Sequence, residues 1–232
     1  MKKILIVVAS LALVAALSIV VALQFRGDIP DALGPHDEKA PAGLEKFYTQ
    51  QLDWERCGKN ACTSATVPID YAKPDGKTFK IKIQRVPASR KTDKVLFVNP
   101  GGPGGSGTQF ARMVASSVSD EMRAQYDIVG IDPRGVGEST PLKCLTDEQF
   151  DDSIALDPTP DTAAEVAEAA AAMKKMGNAC LSRSGALAEH VETQSAARDQ
   201  DVVRALLGQE KLHWYGASYG TQLGATYADL FP

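Results

Sequence analysis

The sequence predicts an α/β fold in which a mainly parallel sheet, covered by helices, begins with an antiparallel hairpin. Residues 95–98 and 126–131 are short, continuous apolar runs, which is typical of strands buried on both faces. Residues 108–125, between them, carry apolar side chains at helical spacing. Because buried strands alternate with a helix, the chain is expected to form a parallel sheet with helices on its faces.

The hairpin is predicted before the first buried strand. Residues 65–71 and 78–86 alternate apolar and polar side chains, and Pro74, Asp75 and Gly76 stand between them. Alternation with a period of two predicts half-buried strands, and a Pro-Asp-Gly segment favours a turn. These residues are therefore expected to pair antiparallel at the start of the sheet.

Three further elements are predicted after the second buried strand. Residues 162–181 are rich in alanine and predict a surface helix. Residues 195–207 predict an amphipathic helix, with Ser195 as its N-cap and Gly208 as its stop. A short strand over 212–215 then leads through a glycine turn into a last helix.

The first residues indicate export. Lys2 and Lys3 precede an uncharged run over 4–23, which is typical of a signal peptide and also long enough for a membrane anchor. We therefore expect residues 1–26 to be one or the other, residues 27–43 to form a linker, and residues 44–232 to form the folded part. Either alternative places the protein outside the cytoplasm, secreted or anchored to the outer face of the cytoplasmic membrane, with no other membrane contact.

The four cysteines agree with an oxidising compartment. Their short separation favours a local bridge between Cys57 and Cys62, which leaves Cys144 to pair with Cys180. A zinc site at the first two is disfavoured because no histidine lies near them, and no metal is expected. The net charge of −4 and the lack of a basic stripe argue against a nucleic-acid partner.

The turn Gly216-x-Ser218-x-Gly220 predicts a nucleophilic serine. It follows a short strand and opens a helix, which is the context in which this pattern forms a sharp elbow that exposes the serine hydroxyl. The helix directs its positive N-terminus toward developing negative charge. The alternative role for Ser218 is a helix cap in a glycine turn.

A serine that attacks a carbonyl needs hydrogen-bond donors for the resulting oxyanion. One is expected from the backbone N–H of Tyr219, and the second from the glycine-rich loop over 101–107, because such a donor comes from the loop after an earlier strand. We assign the second donor to Gly102, with Gly101 as the less favoured choice.

The same loop also fits a dinucleotide-binding fingerprint. Gly102, Gly104 and Gly107 have the required spacing, and Asp132 ends the next strand near the expected offset. Pro103 and export argue against this alternative, and no cofactor is expected. A third alternative is a non-catalytic binding module on the same fold.

Three motifs together resemble the secreted tripeptidyl aminopeptidases, which are similar to the prolyl iminopeptidases among the α/β-hydrolases. They are Asn-Pro-Gly-Gly-Pro-Gly-Gly-Ser-Gly over 99–107, Asp-Pro-Arg-Gly-Val-Gly-Glu-Ser over 132–139, and the serine turn. The resemblance implies the N-terminal part of an α/β-hydrolase fold, an acyl-enzyme on Ser218, and peptide substrates with a free N-terminus. Asp132 and Arg134 are expected to support the loop. An exported esterase or lipase is the alternative within the fold.

The chain departs from this family's pattern after the serine. The fold places the acid and then the histidine after the nucleophile, yet the fourteen residues after Ser218 contain one acid, Asp229, and no histidine. His36, His190 and His213 precede the serine in unsuitable positions. We therefore expect a C-terminally truncated chain that is inactive alone: a fragment, a frameshifted gene, or a half completed by a second polypeptide.

Overall fold

The computed structural model describes residues 40–232 as a mixed six-stranded sheet with helices around it. The strands are β1 (Glu55–Cys57), β2 (Asn60–Pro68), β3 (Thr78–Val86), β4 (Val95–Asn99), β5 (Asp127–Ile131) and β6 (His213–Gly216). The α-helices are α1 (Glu45–Tyr48), α2 (Gly107–Ser117), α3 (Asp120–Gln125), α4 (Asp147–Ile154), α5 (Ala163–Ser184), α6 (Thr193–Leu206) and α7 (Tyr219–Leu230). A 3₁₀ helix, Gly185–Glu189, joins α5 to α6.

The strand order is β1-β2-β3-β5-β4-β6. The first three strands and β5 pair antiparallel, whereas β5, β4 and β6 run parallel. The α/β class and the hairpin are confirmed, and β3 has the bounds that its alternation predicts. The antiparallel part is larger than predicted, because β2 begins at Asn60 and pairs with the unpredicted short strand β1.

Helix α2 packs on the sheet through an apolar cluster that includes Val98, Phe110 and Ile128. The approach is close, because a side-chain carbon added to Gly107 would overlap the backbone of Ile131. Gly107 therefore lets the helix begin directly against β5. Helices α6 and α7 pack on each other through a second cluster, formed by Ala196, Ala197, Leu223 and Tyr227.

Two helix predictions are wrong in detail. Residues 108–125 form two helices, because Val118 is extended and the Ser119 hydroxyl caps a new helix by accepting from the N–H of Met122. Ser195 is not an N-cap. Helix α6 begins at Thr193 after Glu192, and the buried Ser195 hydroxyl donates to the Glu192 carboxylate.

Helix α4 was not predicted, although the sequence carries a signal for it. Thr146 and Gln149 form a capping box in which each side chain bonds the backbone N–H of the other residue. Helix α5 lies on the surface as predicted, with no buried residue along its length.

Both predicted disulfides are present. Cys57–Cys62 lies in the β1–β2 turn, and Cys144–Cys180 lies near the C-terminal end of α5. Because all four sulfurs are bonded, Cys57 and Cys62 cannot bind zinc as thiolates. The predicted export segment, residues 1–26, and most of the predicted linker lie outside the described residues. Within residues 40–232, no helix has the length and apolar character needed to cross a bilayer.

Candidate active site

Ser218 occupies the sharp turn between β6 and α7. Its backbone lies in the left-handed half of conformational space, with φ 52° and ψ −126°, and its side chain is exposed. A hydrogen bond of 2.7 Å from the Gly220 N–H to the Ala217 carbonyl closes the turn around it. A non-glycine residue held at positive φ is strained, so the surrounding contacts must impose this conformation.

The glycines on either side make the turn sterically feasible. A carbon added to Gly220 would lie 2.6 Å from the Asn99 carbonyl oxygen. One added to Gly216 would lie 2.6 Å from the indole nitrogen of Trp214, which donates to the Gly220 carbonyl. The elbow therefore needs the small residues that the sequence pattern supplies.

The glycine loop after β4 faces this elbow. A carbon added to Gly101, which has φ +90°, would lie 2.8 Å from the backbone nitrogen of Tyr219 and 3.0 Å from the Cβ of Ser218. The loop and the serine thus lie at the same edge of the sheet, beyond the carboxyl ends of the neighbouring strands β4 and β6.

Some backbone N–H groups of this region donate a hydrogen bond, and others do not. The Gly101 N–H donates to Oδ1 of Asn99 at 2.9 Å. Neither the Gly102 N–H nor the Tyr219 N–H donates to any residue of the described range. Tyr219 is the first residue of α7, where backbone N–H groups have no partner within the helix and the helix dipole is positive. These two amides are therefore available to an acceptor.

Asp132, at the end of β5, joins the loops around the site. One oxygen of its buried carboxylate accepts from the Ser106 hydroxyl and the Thr108 N–H, at 2.7 and 3.0 Å. The other accepts from the Glu138 N–H at 2.9 Å. The carboxylate therefore ties the start of α2, just after the glycine loop, to the loop over 133–139.

Arg134 is buried, and none of its hydrogen bonds goes to the serine turn. Its guanidinium donates twice to Asp199 of α6 and also to the backbone carbonyls of Pro68, Ile69 and His190. Burial is the largest single effect and opposes its charge, but the charge and hydrogen bonds of Asp199, together with Tyr71 and Glu192, hold the pKa of Arg134 above its ordinary value. Arg134 thus joins three segments rather than offering a charge to a ligand.

Within residues 40–232, no histidine or carboxylate is hydrogen-bonded to the Ser218 hydroxyl as a general base would be. The Ser218 hydroxyl has no hydrogen-bond partner among them. His213 begins β6, at the end of the strand opposite to the elbow, and its ring packs against Tyr126. His190 lies before α6, where its backbone carbonyl accepts from Arg134. Asp229 lies near the end of α7.

The sequence alone indicated no role for Asn99 or for Asp199. Asn99 stands in the first motif, where a buried strand meets the glycine loop, so a polar residue at this position was the available signal. The pairing of Asp199 with Arg134 had no local signal, because the two residues are 65 positions apart in sequence.

A family model described as the alpha/beta hydrolase fold matches residues 94–232, from β4 through the elbow helix. The chain belongs to the α/β-hydrolase fold family. The match covers more than half of the chain and includes all three motifs. The family assignment favours a hydrolase over the dinucleotide-binding alternative for the glycine loop.

Curated relatives agree with the resemblance drawn from the motifs. This α/β-hydrolase is 40% identical over 193 residues to a tripeptidyl aminopeptidase of Streptomyces lividans, covering 78% of this chain and 36% of the relative. It is 34% identical over 195 residues to serine protease Hip1 of Mycobacterium tuberculosis, covering 79% of this chain and 38% of that protein.

Two further comparisons cover part of this chain. Carboxylesterase B of Mycobacterium tuberculosis is 39% identical over 147 residues, which cover 62% of this chain and 28% of the esterase. A solved structure of a proline iminopeptidase-related protein from Thermus thermophilus aligns with a TM-score of 0.38 at 16% identity, covering 73% of this chain and 40% of that chain.

Proposed function

We propose that this α/β-hydrolase is a serine peptidase that acts through an acyl-enzyme on Ser218. The observation that carries the proposal is the placement of an exposed serine, on a strained positive-φ turn, directly opposite the glycine loop. A turn of this kind holds the hydroxyl away from the backbone, so that a carbonyl carbon can approach it.

The free amides define the oxyanion site. When the Ser218 oxygen attacks a substrate carbonyl, the carbonyl oxygen becomes negative, and the N–H groups of Gly102 and Tyr219 are the donors available to it. A base must take the hydroxyl proton and deliver it to the leaving amine, after which water releases the acyl group. We assign this base and its orienting acid to a part of the protein outside the described residues, or to a second polypeptide.

We further propose that the substrates are peptides with a free N-terminus, cut one to three residues in. The support is the identity of 40% with a tripeptidyl aminopeptidase across 78% of this chain. An esterase is the second candidate, supported by the identity of 39% with a carboxylesterase over 147 residues.

We also propose that the protein works outside the cytoplasm, either secreted or held at the outer face of the membrane by residues 1–26. Two disulfides are typical of proteins that fold in an oxidising compartment. The basic and apolar start of the sequence agrees with this placement.

The experiment compares the turnover of three substrates by the protein isolated from its native cells. They are an Ala-Ala-Pro chromogenic peptide, the same peptide with an acetylated N-terminus, and a short-chain ester. A Ser218-dependent preference for the free peptide supports an aminopeptidase. Equal rates on both peptides contradict this specificity, and turnover of the ester alone supports the second candidate. Ser218→Ala should abolish turnover, whereas Ser116→Ala, on the exposed side of α2, should retain it.

A further inference from the structure

Asn99 connects the glycine loop to the serine turn. It is the last residue of β4 and is only 1% exposed. Its backbone carbonyl accepts from the Ala217 N–H at 3.0 Å, one residue before the nucleophile. Its side-chain oxygen accepts from the Gly101 N–H at 2.9 Å. One buried residue thus bonds both sides of the proposed oxyanion site.

The other half of the Asn99 amide has no such role. Its Nδ2 is buried and donates to no residue between 40 and 232. A buried donor without an acceptor is unfavourable, and most buried polar groups are paired. The acceptor role alone does not require this donor, since an aspartate could accept from Gly101 equally well and would leave no N–H unpaired.

The difference between asparagine and aspartate is charge. An aspartate here would place a negative group one hydrogen bond from Gly101, which itself lies against the Tyr219 amide, where substrate attack develops a negative oxygen. Because Asn99 is buried, a carboxylate at this position would be poorly screened, and like charges at short separation oppose each other. A neutral acceptor avoids this repulsion.

We propose that Asn99 is a positioning residue of the oxyanion site, a deduction that rests on the proposed function. It occupies the Gly101 N–H, which leaves the Gly102 N–H as the loop's donor beside that of Tyr219. It also fixes the loop against the elbow without adding negative charge. Asn99 itself touches no reacting atom.

The test uses Asn99→Ala and Asn99→Asp, with Asn178→Ala and Asn178→Asp on the exposed face of α5 as matched controls. Removing one oxyanion donor costs roughly 100-fold or more in kcat, and Asn99→Ala, which releases the loop, should cost about 10- to 100-fold with little change in KM. Asn99→Asp should be at least as slow at neutral pH. Its rate relative to wild type should rise as the pH falls and the carboxyl becomes neutral. The Asn178 variants should match wild type.

Two outcomes overturn the proposal when wild type is active. One is an unchanged kcat in both Asn99 variants. The other is a ratio of the Asn99→Asp rate to the wild-type rate that stays flat with pH, because a purely structural role would not respond to the charge.

Amide hydrogen exchange separates this proposal from the proposed function. The Gly101 amide should exchange at least about 10-fold faster in Asn99→Ala and stay protected in Asn99→Asp, because only the first loses the acceptor. If Ser218-dependent turnover is absent but this exchange pattern holds, the proposed function fails and the positioning of the loop stands. Unchanged exchange of Gly101 in Asn99→Ala overturns the positioning itself.

Discussion

Arg134 and Asp199 form a buried two-point ion pair, with Nε and Nη2 of the arginine donating to separate carboxylate oxygens at 2.8 and 2.7 Å. The phenol of Tyr71 donates to the same carboxylate at 2.8 Å. The pair joins the loop after β5 to α6, and the other hydrogen bonds of the arginine go to the carbonyls of Pro68, Ile69 and His190. The loop after β5, the segment after β2 and helix α6 are therefore held together by one network.

Removing the arginine should destabilise the protein strongly. Arg134→Ala leaves Asp199 buried and uncompensated, which typically costs about 3–5 kcal/mol in the free energy of unfolding. Urea denaturation measures the loss. Lys46→Ala is the control, since its partner Asp75 is 96% exposed and such a pair is worth about 1 kcal/mol or less. Equal losses in the two variants would show that the buried pair has no special structural role.

Gly101→Ala should block the site. The added carbon would lie 2.8 Å from the Tyr219 nitrogen and 2.5 Å from the Ala217 carbonyl oxygen, so the loop must move away from the elbow. We expect kcat to fall by about 100-fold, as for the loss of an oxyanion donor. Gly58→Ala is the control, because Gly58 also has positive φ, +68°, but faces open space in the β1–β2 turn. Steady-state kinetics that show no difference between the variants contradict the facing geometry.

The backbone strain at Ser218 should lower the free energy of unfolding by a measurable amount. Glycine adopts the Ser218 backbone conformation, φ 52° and ψ −126°, without a steric penalty, whereas a residue with a Cβ held in such a sparsely populated region costs about 1–3 kcal/mol. In urea denaturation, Ser218→Gly should therefore have a free energy of unfolding about 1 kcal/mol higher than that of Ser218→Ala. Neither variant should be active, because both lack the hydroxyl. Equal stability of the two would mean that the elbow is not strained.

Stability should fall in alkaline solution because of a buried phenol pair. Tyr48 and Tyr227 each donate to one oxygen of Asp201, at 2.7 and 2.8 Å. Burial, followed by the Asp201 charge, raises the pKa of both phenols well above the ordinary value of 10.0. The unfolded chain releases these protons first. The stability they contribute is therefore complete below about pH 10 and is lost as the pH rises further.

The phenol prediction is checked by urea unfolding at several pH values above 10. Each phenol should contribute a loss of about 1.4 kcal/mol per pH unit. Tyr48→Phe removes one titrating group and should make the decline shallower by that amount. A decline of the same slope in Tyr48→Phe and wild type would rule out the proposed linkage.

The sequence predicted those parts of the site that depend on local sterics. The glycines around Ser218 permit one kind of sharp turn, and a strand before it with a helix after it gives that turn its place at the sheet edge. The Cys57–Cys62 bridge also followed from short-range spacing, and the Cys144–Cys180 pairing followed by elimination. The glycine loop lies at the same edge of the sheet as Ser218, because parallel strands present their carboxyl ends at one edge.

Long-range polar pairs could not be read from the pattern. Helix α6 has an apolar stripe, but its buried faces also carry Asp199, Asp201 and Arg204, whose partners include residues far away in the chain. Ser195 has the chemistry of an N-cap, yet the helix begins two residues earlier at Thr193. Tertiary contacts therefore decided these positions, and local propensity did not.

The central claim is that Ser218 is a nucleophile facing the glycine loop. Its most direct test is covalent labelling with a fluorophosphonate, followed by mass spectrometry of the labelled peptide, on the protein isolated from the cells that encode it. We expect one labelled residue, Ser218, with labelling slowed about 100-fold by Gly101→Ala. Labelling at another serine, or none in a folded protein, would contradict it.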